Sequence, residues 1–213
     1  MKNIAAIRKD YTLETLDEKM TGDDPFSLFD KWWEQAINSD IDEVNAMTLA
    51  TVNSHHIPSA RIVLLKGYDK NGFVFFTNYN SHKATDILDN PRVSLVIFWK
   101  ELQRQIRING MAEKVSGKES DDYFNSRPEK SKIGAWASPQ SNIIASREVL
   151  EKNEAEYENQ FAGKSIPRPA HWGGFIVKPI QIEFWQGRAS RLHDRICYNL
   201  LENGGWRKER LAP

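Results

Sequence analysis

Short runs of β-branched and aromatic residues, separated by still shorter turns, are the feature that most limits the possible folds of this chain. Three such runs, at residues 47–52, 59–68 and 73–78, are joined by the turn-forming segments NSHHIP and DKNG. Connections this short join antiparallel strands, because a parallel crossover needs a dozen or more residues. The runs IVLLK and VSLVIFW are apolar on both faces, as in a barrel or in a sheet covered by helices or by a second subunit. We therefore predict an α+β fold built on a small antiparallel barrel.

Helices are predicted between and beside these strands. Asp24 and Pro25 form a helix start, with an N-cap followed by a proline in the first turn. Ser81 and Ser116 begin two further helices, and residues 146–161 form another. The remaining strands are predicted as RVSLVIFW, RQIRINGMAEKV, GGFIVKP, QIEFWQG, RICYNL and GWRKERL, of which the last four close the fold. The whole pattern predicts about nine strands and four helices.

The first twenty residues are polar and mixed in charge, and their pattern indicates no element. We expect residues 1–20 to be a mobile segment that only a ligand or a partner ties down. Residues 21–213 are then predicted to form a single domain, which is a usual size for one core.

The charge of the chain is balanced, with 29 Lys and Arg against 29 Asp and Glu among 213 residues. General nucleic-acid binders carry a basic excess, so this class is disfavoured. One cysteine, Cys197, excludes an internal disulfide and a Cys-rich metal site, and we expect it to be a core residue. The five histidines show no metal-ligand spacing. No signal-like segment and no apolar run near the ~20 residues that span a bilayer is found, so we expect a cytoplasmic globular protein.

No common phosphate-binding or dinucleotide-binding motif occurs, yet positive charge is concentrated in particular segments. Arg61 and Lys66 flank an apolar strand. Either they are strand ends that reach solvent, or they contact a phosphate or a flavin. Because these two residues are five apart, a regular strand points them to opposite faces. Ser81, His82 and Lys83 begin a helix, where cations are disfavoured unless an anion binds or solvent surrounds them.

A third segment is RLHDR, at residues 191–195. An extended backbone would point Arg191, His193 and Arg195 to one face, where they repel one another unless an anion or a carboxylate lies among them. A polar turn is the alternative interpretation. We favour a binding site, because strongly apolar strand patterns flank the segment.

A fourth segment combines Arg127 with the hydroxyls of Tyr123 and Ser131. Tyr123 and Arg127 are four apart and share a helix face, so the trio is either a phosphate cradle or ordinary surface. Taken together, the four segments suggest two anionic ligands with aromatic surfaces nearby. A planar phosphorylated cofactor with a phosphorylated substrate would fit this description.

Several of these segments match a known family in order and spacing. They are RIVLLK (61–66), SHKA (81–84), NPRVSL (90–95), YFNSRP (123–128), IGAWASPQS (133–141), WGGF (172–175), QIEFWQG (181–187), RLHDR (191–195) and the terminal RLAP. On these motifs, from about Arg8 onward, the chain resembles the pyridoxine/pyridoxamine 5′-phosphate oxidases. The resemblance implies a split β-barrel with peripheral helices, working as a homodimer with FMN at the subunit interface.

The same resemblance implies oxidation of pyridoxamine and pyridoxine 5′-phosphate to pyridoxal 5′-phosphate. O₂ would accept the electrons and leave as hydrogen peroxide, and the amine substrate would release ammonia. The implied FMN contacts are Arg61, Ile62, Val63, Leu64, Leu65, Lys66, Phe76, Thr77, His82, Lys83, Gln105, Gln140, Ser141, Trp185 and Arg195. The implied substrate contacts are Arg8, Lys9, Asp10, Tyr11, Lys66, Tyr123, Arg127, Ser131, Arg191, Leu192 and His193. Arg191 and His193 are the implied catalytic pair, with Arg191 opposite the reacting C4′ carbon and His193 orienting.

Two residues depart from the family pattern. His82 stands where arginine is frequent, and a neutral imidazole is a weaker phosphate ligand than a guanidinium. Phe76 stands where tyrosine is common, which removes one hydroxyl. Two other functions stay open at this point: a flavin-dependent oxidase or reductase of the same fold with another substrate, and a non-catalytic carrier of FMN or pyridoxal phosphate. A nucleic-acid-binding barrel is disfavoured by the neutral charge.

Overall fold

An antiparallel sheet makes up most of the fold in this computed structural model, which describes residues 10–213. Its strands are β1 (Ala46–Val52), β2 (Pro58–Leu64), β3 (Gly67–Asp69), β4 (Gly72–Asn78), β5 (Arg92–Trp99), β6 (Arg104–Lys114), β7 (Trp172–Gln186), β8 (Asp194–Leu200) and β9 (Trp206–Arg210). The α-helices are α1 (Pro25–Ile37), α2 (His82–Asp89), α3 (Gly117–Ser126), α4 (Glu129–Ala137) and α5 (Glu148–Phe161). A 3₁₀ turn covers Ala189–Arg191.

The long strand β7 organises the sheet, whose order is β2-β1-β5-β6-β7-β4-β3. The whole length of β6 pairs with one edge of β7, while two other strands share the opposite edge. β4 pairs with residues 172–177 of β7, and β8 pairs with residues 181–186 and then with β9. The sheet therefore divides at β7 into two arms. The predicted antiparallel α+β architecture with peripheral helices is confirmed.

Helix α1 packs across the sheet through an aromatic face. Its N-cap is Asp24, as predicted, and the Asp24 carboxylate accepts hydrogen bonds from the first backbone amides of the helix. The Trp32 ring meets Phe184 edge-on at 5.2 Å between centroids, and the Phe29 ring meets Phe73 at 5.0 Å. Burial of each such side chain contributes about 1.5–3 kcal/mol. The core between α1 and the sheet thus gives the barrel a rigid frame for its surface sites.

The closing strands differ from the prediction. GGFIVKP and QIEFWQG form the one strand β7, although the first of them ends in Pro179. Pro179 pairs with Gly110 at the point where the register between β6 and β7 shifts. A bulge tolerates a proline, because one residue there is left out of the hydrogen-bond ladder. Gly110 allows the close approach, since a Cβ atom on it would lie 2.3 Å from the Lys178 carbonyl oxygen.

A further helix, α4, was absent from the sequence prediction. It follows Pro128 and buries Ile133, Ala135 and Ala137. These residues are mostly small and alternate with others of mixed polarity, so the segment lacks the wide apolar stripe by which helices are recognised. The helix matters here because it carries Ser131 to the site described below.

Residues 10–20 make hydrogen bonds to the barrel, although whether the N-terminal segment is mobile stays a prediction. The backbone amide of Leu16 donates to the Asp194 carboxylate at 3.1 Å, and Arg210 donates to the Leu16 carbonyl at 2.9 Å. The amide of Thr12 donates to the Gln103 side chain at 3.0 Å. The barrel itself holds this stretch, through groups far away in the sequence that a local pattern cannot reveal. The boundary between residues 1–20 and a single domain over 21–213 stays a prediction.

Three further observations concern the described part of the chain. Cys197 is buried in β8, which confirms it as a core residue. Residues 10–213 contain no group of three or more His, Cys, Asp or Glu side chains that could hold a metal ion. None of the helices in this range combines the length and the apolar character needed to cross a bilayer.

Candidate active site

A cavity of about 620 Å³ opens between the β2–β4 region of the sheet and helices α2, α3 and α4. This volume is in the usual range for a small-molecule site. The predicted residues that line it are Ile62, Val63, Leu64, Lys66, Phe76, Thr77, Lys83, Tyr123, Arg127, Ser131 and Gln140. Most predicted FMN contacts and the predicted substrate-phosphate contacts are therefore brought together on one cavity wall.

Lys83 is the cation at one end of this cavity. Its Nζ atom donates to Thr77 Oγ1 at 3.2 Å, Ser81 Oγ at 3.1 Å and Gln140 Oε1 at 3.1 Å. Burial, and then the nearby charge of Arg61, lowers the Lys83 pKa to about 8. No carboxylate lies within ion-pair distance of Nζ among the described residues. A half-buried cation surrounded by neutral groups is the environment expected where a phosphate binds.

His82 and Ser141 lie beside Lys83 rather than on the cavity wall. The His82 backbone amide donates to Ser141 Oγ at 3.3 Å, and both side chains are exposed. Ser81 is the N-cap of α2 but makes no side-chain cap bond, since its hydroxyl donates to the Asn78 carbonyl at 2.7 Å. Of the first amides of α2, that of His82 donates to Ser141 and those of Ala84 and Thr85 donate to the Ser81 carbonyl, so the Lys83 amide is the one from which an anion can accept.

Arg127 forms the second cationic point of the cavity, at the end of α3. Its guanidinium carbon lies 4.6 Å from the centroid of the Trp172 ring and 5.6 Å from that of Phe124. Its Nη1 atom is buried and has no hydrogen-bond partner, and burial lowers the Arg127 pKa. A buried donor without a partner costs about 1–3 kcal/mol, and a bound anion would remove that cost.

Aromatic rings form the wall between the two cations. The rings of Phe76 and Tyr123 stack at 4.0 Å between centroids, and Trp172 is nearly parallel to both. Trp172 was not predicted as a site residue, although the WGGF motif that contains it was visible in the sequence. Its role depends on the guanidinium that lies over it, and that contact is a tertiary one.

Two predicted residues of the first segment lie off the cavity. The Leu65 side chain belongs to the core, and its backbone groups already bond Asn45, at 2.8 Å through the amide and 3.0 Å through the carbonyl. The Leu65 side chain therefore faces the core and not the cavity. Arg61 is not among the residues that line the cavity, and its guanidinium is held by groups of β1 and β2. Lys66 lies beyond the end of β2, so the strand alternation used to place it opposite Arg61 does not apply.

The remaining predicted residues form a second group at the other end of β7. Gln105, Trp185 and Arg195 are cross-strand neighbours on β6, β7 and β8, so they share one face of the sheet. The His193 ring lies 4.6 Å from Trp185, and the Tyr11 ring lies 5.9 Å from each of them.

Gly187 allows Tyr11 to pack at this place, because a Cβ atom on it would lie 2.8 Å from the Tyr11 ring. Arg191, Leu192 and Asp10 are exposed. Arg8 and Lys9 lie outside the described residues.

The RLHDR segment is a turn that enters β8, and not a continuous strand. Ser190 and Arg191 have φ angles of 55° and 62°, so the predicted common face of Arg191, His193 and Arg195 is wrong. The His193 Nδ1 atom accepts from the Arg188 amide at 3.0 Å, which leaves Nε2 to carry the proton of the neutral ring. Burial, and then the charge of Arg191, lowers the His193 pKa.

Arg195 has a carboxylate partner inside the chain. Its Nε and Nη2 atoms donate to the two Glu183 oxygens at 2.9 and 3.1 Å, and its Nη1 atom donates to the Ala212 carbonyl at 2.8 Å. Arg107 also contacts Glu183, at 3.2 Å. Glu183 is thus the carboxylate that offsets the positive charge of Arg195 in the RLHDR segment. This role could not be read from the motif QIEFWQG alone.

The two groups of site residues lie toward opposite ends of strand β7 in one chain. Gly174, which pairs with Phe76, and Trp185 are eleven residues apart on the continuous strand β7. At about 3.3 Å per residue this separation reaches roughly 36 Å along an extended strand. The cavity that contains Lys83 and Arg127 is lined by no residue of the Trp185 group.

Comparisons with known proteins identify the family. A family model described as "Pyridoxamine 5'-phosphate oxidase" matches residues 33–161, and one described as "Pyridoxine 5'-phosphate oxidase C-terminal dimerisation region" matches residues 172–213. The chain belongs to the pyridoxamine 5′-phosphate oxidase family. Two relatives named pyridoxine/pyridoxamine 5′-phosphate oxidase align over their whole length. The one from Trichormus variabilis is 55% identical over 100% of this chain and 99% of its own, and the one from Cupriavidus metallidurans is 52% identical over 100% of both chains.

Solved structures show the same fold. PhzG from Burkholderia lata, crystallised with tetrahydrophenazine-1-carboxylic acid, has a TM-score of 0.88 at 28% identity, covering 94% of this chain and 99% of its own. A pyridoxamine 5′-phosphate oxidase-related, FMN-binding protein from Nostoc punctiforme has a TM-score of 0.71 at 16% identity, covering 94% and 100%. These likenesses confirm the predicted split-barrel fold of the family.

Proposed function

We propose that this protein oxidises pyridoxamine 5′-phosphate and pyridoxine 5′-phosphate to pyridoxal 5′-phosphate, with FMN as its cofactor. The observation that carries the proposal is Arg127, whose buried, unpartnered Nη1 atom lies beside Tyr123 and Ser131 in the cavity that also contains Lys83. Lys66, Lys83 and Arg127 all line this cavity, and three cations suit two phosphates, one of the cofactor and one of the substrate. A family member with an unphosphorylated substrate would need fewer of them.

The residues present fit FMN. Lys83, through its Nζ atom and its backbone amide at the start of α2, would hold the phosphate, and the backbone and side chains of residues 62–64 would lie along the flavin. The chemistry that bound FMN would supply is a two-electron oxidation at the C4′ carbon of the substrate, with O₂ as the final acceptor reduced to hydrogen peroxide. The alcohol substrate then gives the aldehyde directly, and the amine substrate gives it after hydrolysis with loss of ammonia.

The protein's own groups bind and orient the substrate. Lys66, Arg127 and the hydroxyls of Tyr123 and Ser131 hold its phosphate, which fixes the pyridine ring against the flavin. Orientation of this kind lowers a barrier by about 7–11 kcal/mol in favourable intramolecular reactions. Arg191 would lie opposite C4′, and the neutral His193 ring, fixed through its Nδ1 atom, would orient the substrate. Tyr11, packed on His193 and Trp185, would exclude water from that side.

The active unit in this proposal is a homodimer. The cavity group and the Trp185 group are too far apart in one chain to touch one substrate, so the second group must come from another subunit. The match of residues 172–213 to a region described as a dimerisation region supports the same conclusion. FMN would then lie at the interface, between the cavity of one subunit and the Trp185 group of its partner.

A co-expression experiment tests this shared site. Subunits that carry Arg127→Ala and subunits that carry Arg191→Ala are expressed together with different tags, and the hybrid dimer is purified through both tags. If each site combines the two groups from different subunits, one of the two sites in a hybrid dimer is intact. The hybrid then has about half of the activity of the unmodified protein. With substrate well below KM, a hybrid no more active than either single variant would show that both groups act within one subunit.

The activity itself is tested on the purified protein. We expect a visible flavin spectrum and, after pyridoxamine 5′-phosphate is added in air, equal amounts of aldehyde and hydrogen peroxide. Flavin binding without aldehyde would favour a carrier, and flavin reduction only by an unphosphorylated ring compound would favour a PhzG-like oxidase. We also propose a cytoplasmic location, because charged phosphate esters do not cross a membrane unaided.

A further inference from the structure

Arg61 is held in one position by hydrogen bonds to the sheet, close to Lys83. Its Nη1 atom donates to Thr51 Oγ1 at 2.7 Å and to the Leu49 carbonyl at 3.3 Å, and its Nη2 atom donates to Ser59 Oγ at 2.7 Å. A long, flexible arginine side chain loses much conformational entropy when it is fixed. In this protein the Arg61 side chain loses that entropy when the chain folds, before any ligand binds.

Asp86 completes this arrangement from helix α2. Thr51 is buried, and its hydroxyl donates to Asp86 Oδ2 at 2.6 Å while it accepts from Arg61. The direct approach between Arg61 Nη2 and Asp86 Oδ2 is 3.9 Å, which is an ion-pair distance and not a hydrogen bond. The Thr51 hydroxyl therefore links the carboxylate to the guanidinium.

The same helix presents Lys83 to the cavity. Lys83 and Asp86 are one turn apart on α2, and Asp86 is buried against β1 while Lys83 lines the cavity. Arg61 is close enough for its charge to lower the Lys83 pKa. Two cations placed near each other repel, and the buried Asp86 carboxylate offsets this repulsion in the absence of an anion.

We propose that Thr51 and Asp86 are positioning residues for the phosphate of FMN, which hold Arg61 beside Lys83 so that both cations are in place when the cofactor binds. This inference rests on the proposed function, because it takes the FMN phosphate as the anion. The alternative role is purely structural: the same contacts would only fasten α2 to β1.

Two variants test the proposal on protein from which the flavin has been removed. Thr51→Val keeps the shape of the side chain and removes the hydroxyl, and Asp86→Ala removes its acceptor. Binding of FMN and of riboflavin, which has no phosphate, is measured by quenching of flavin fluorescence. We expect the Kd for FMN to rise about ten-fold or more in both variants, as for the loss of a hydrogen bond to a charged group. The Kd for riboflavin should change by less than about two-fold, because riboflavin makes no phosphate contact.

Two further variants serve as controls. Asp86→Asn retains an oxygen that accepts from Thr51 and should recover most of the FMN affinity. Thr85→Val changes an exposed threonine next to Asp86 on the same helix and should leave both affinities unchanged. The melting temperature of each flavin-free variant reports on folding independently.

Three results would overturn the proposal. Tighter FMN binding in Asp86→Ala would mean that the carboxylate only opposes the phosphate. Equal weakening of FMN and riboflavin would mean that the contacts only maintain the fold, and unchanged FMN affinity would remove both residues from the site. If the unmodified protein binds neither flavin, the proposed function itself fails, which is a different result.

Discussion

Replacement of Arg191 by alanine is expected to lower kcat by about two to three orders of magnitude while the FMN content of the purified protein stays unchanged. Removal of one charged donor from a site where charge develops costs this much in other enzymes. Arg191 is exposed in the single chain, it lies on the turn before His193, and it makes no contact with the cavity that contains Lys83. Its loss should therefore affect the reaction and not the cofactor. Steady-state turnover and flavin absorbance of the same preparation measure the two quantities.

The backbone at Arg191 requires a matched variant. Its φ of 62° belongs to the left-handed region, which asparagine tolerates better than alanine does. Arg191→Asn should therefore keep the turn and lose as much turnover as Arg191→Ala. Arg207→Ala removes an exposed arginine that pairs with Glu209 on β9 and should leave turnover unchanged. Near-normal turnover in both Arg191 variants would remove this residue from the catalytic role.

Replacement of Arg127 by alanine is expected to raise KM for pyridoxamine 5′-phosphate about 10- to 100-fold, with FMN retained. The guanidinium would lose its hydrogen bonds to the substrate phosphate, each worth about 1.5–3 kcal/mol because the groups are charged. The rings of Trp172 and Phe124 support Arg127 from one side, so the cavity wall should survive the change. Initial rates over a range of substrate concentrations give KM and kcat separately.

The control for this prediction is a second substrate that lacks the phosphate. Pyridoxamine without the phosphate cannot use Arg127, so its low kcat/KM should be equal in the parent and in the variant. Lys130→Ala removes an exposed cation nearby on α4 and should change neither constant. An unchanged KM for the phosphorylated substrate in Arg127→Ala would contradict the phosphate assignment.

Local sequence patterns were sufficient for much of the fold. The N-cap at Asp24, the short turns between strands and the alternating apolar runs each depend on residues that are close in sequence, and each was found as predicted. Helix α4 and the continuity of β7 through Pro179 were missed. Both depend on partners elsewhere: α4 on the core that its small residues fill, and Pro179 on the register shift opposite Gly110.

The candidate site divides in the same way. Residue type and spacing indicated the cationic residues. A charge beside an apolar strand is costly if it is buried without a partner, and both the charge and its apolar neighbours can be read from the sequence. Thr51, Asp86, Glu183 and Trp172 were not found, since a threonine, a carboxylate or a tryptophan is unremarkable until its neighbour is known. Their contacts with Arg61, Arg195 and Arg127 join residues that are distant in sequence or lie on different elements.

The sequence by itself determined the family, the antiparallel strand pattern and the set of cationic residues, because these depend on residue identity and on short-range periodicity. Only the tertiary structure decided how that set is divided. It placed Lys83 and Arg127 in one cavity and Arg191, His193 and Arg195 at the other end of β7, and it showed that residues 10–20 are held by Asp194 and Arg210. The physical reason is that strand pairing brings together residues of any separation in the chain, so the geometry of a site is a property of the folded sheet.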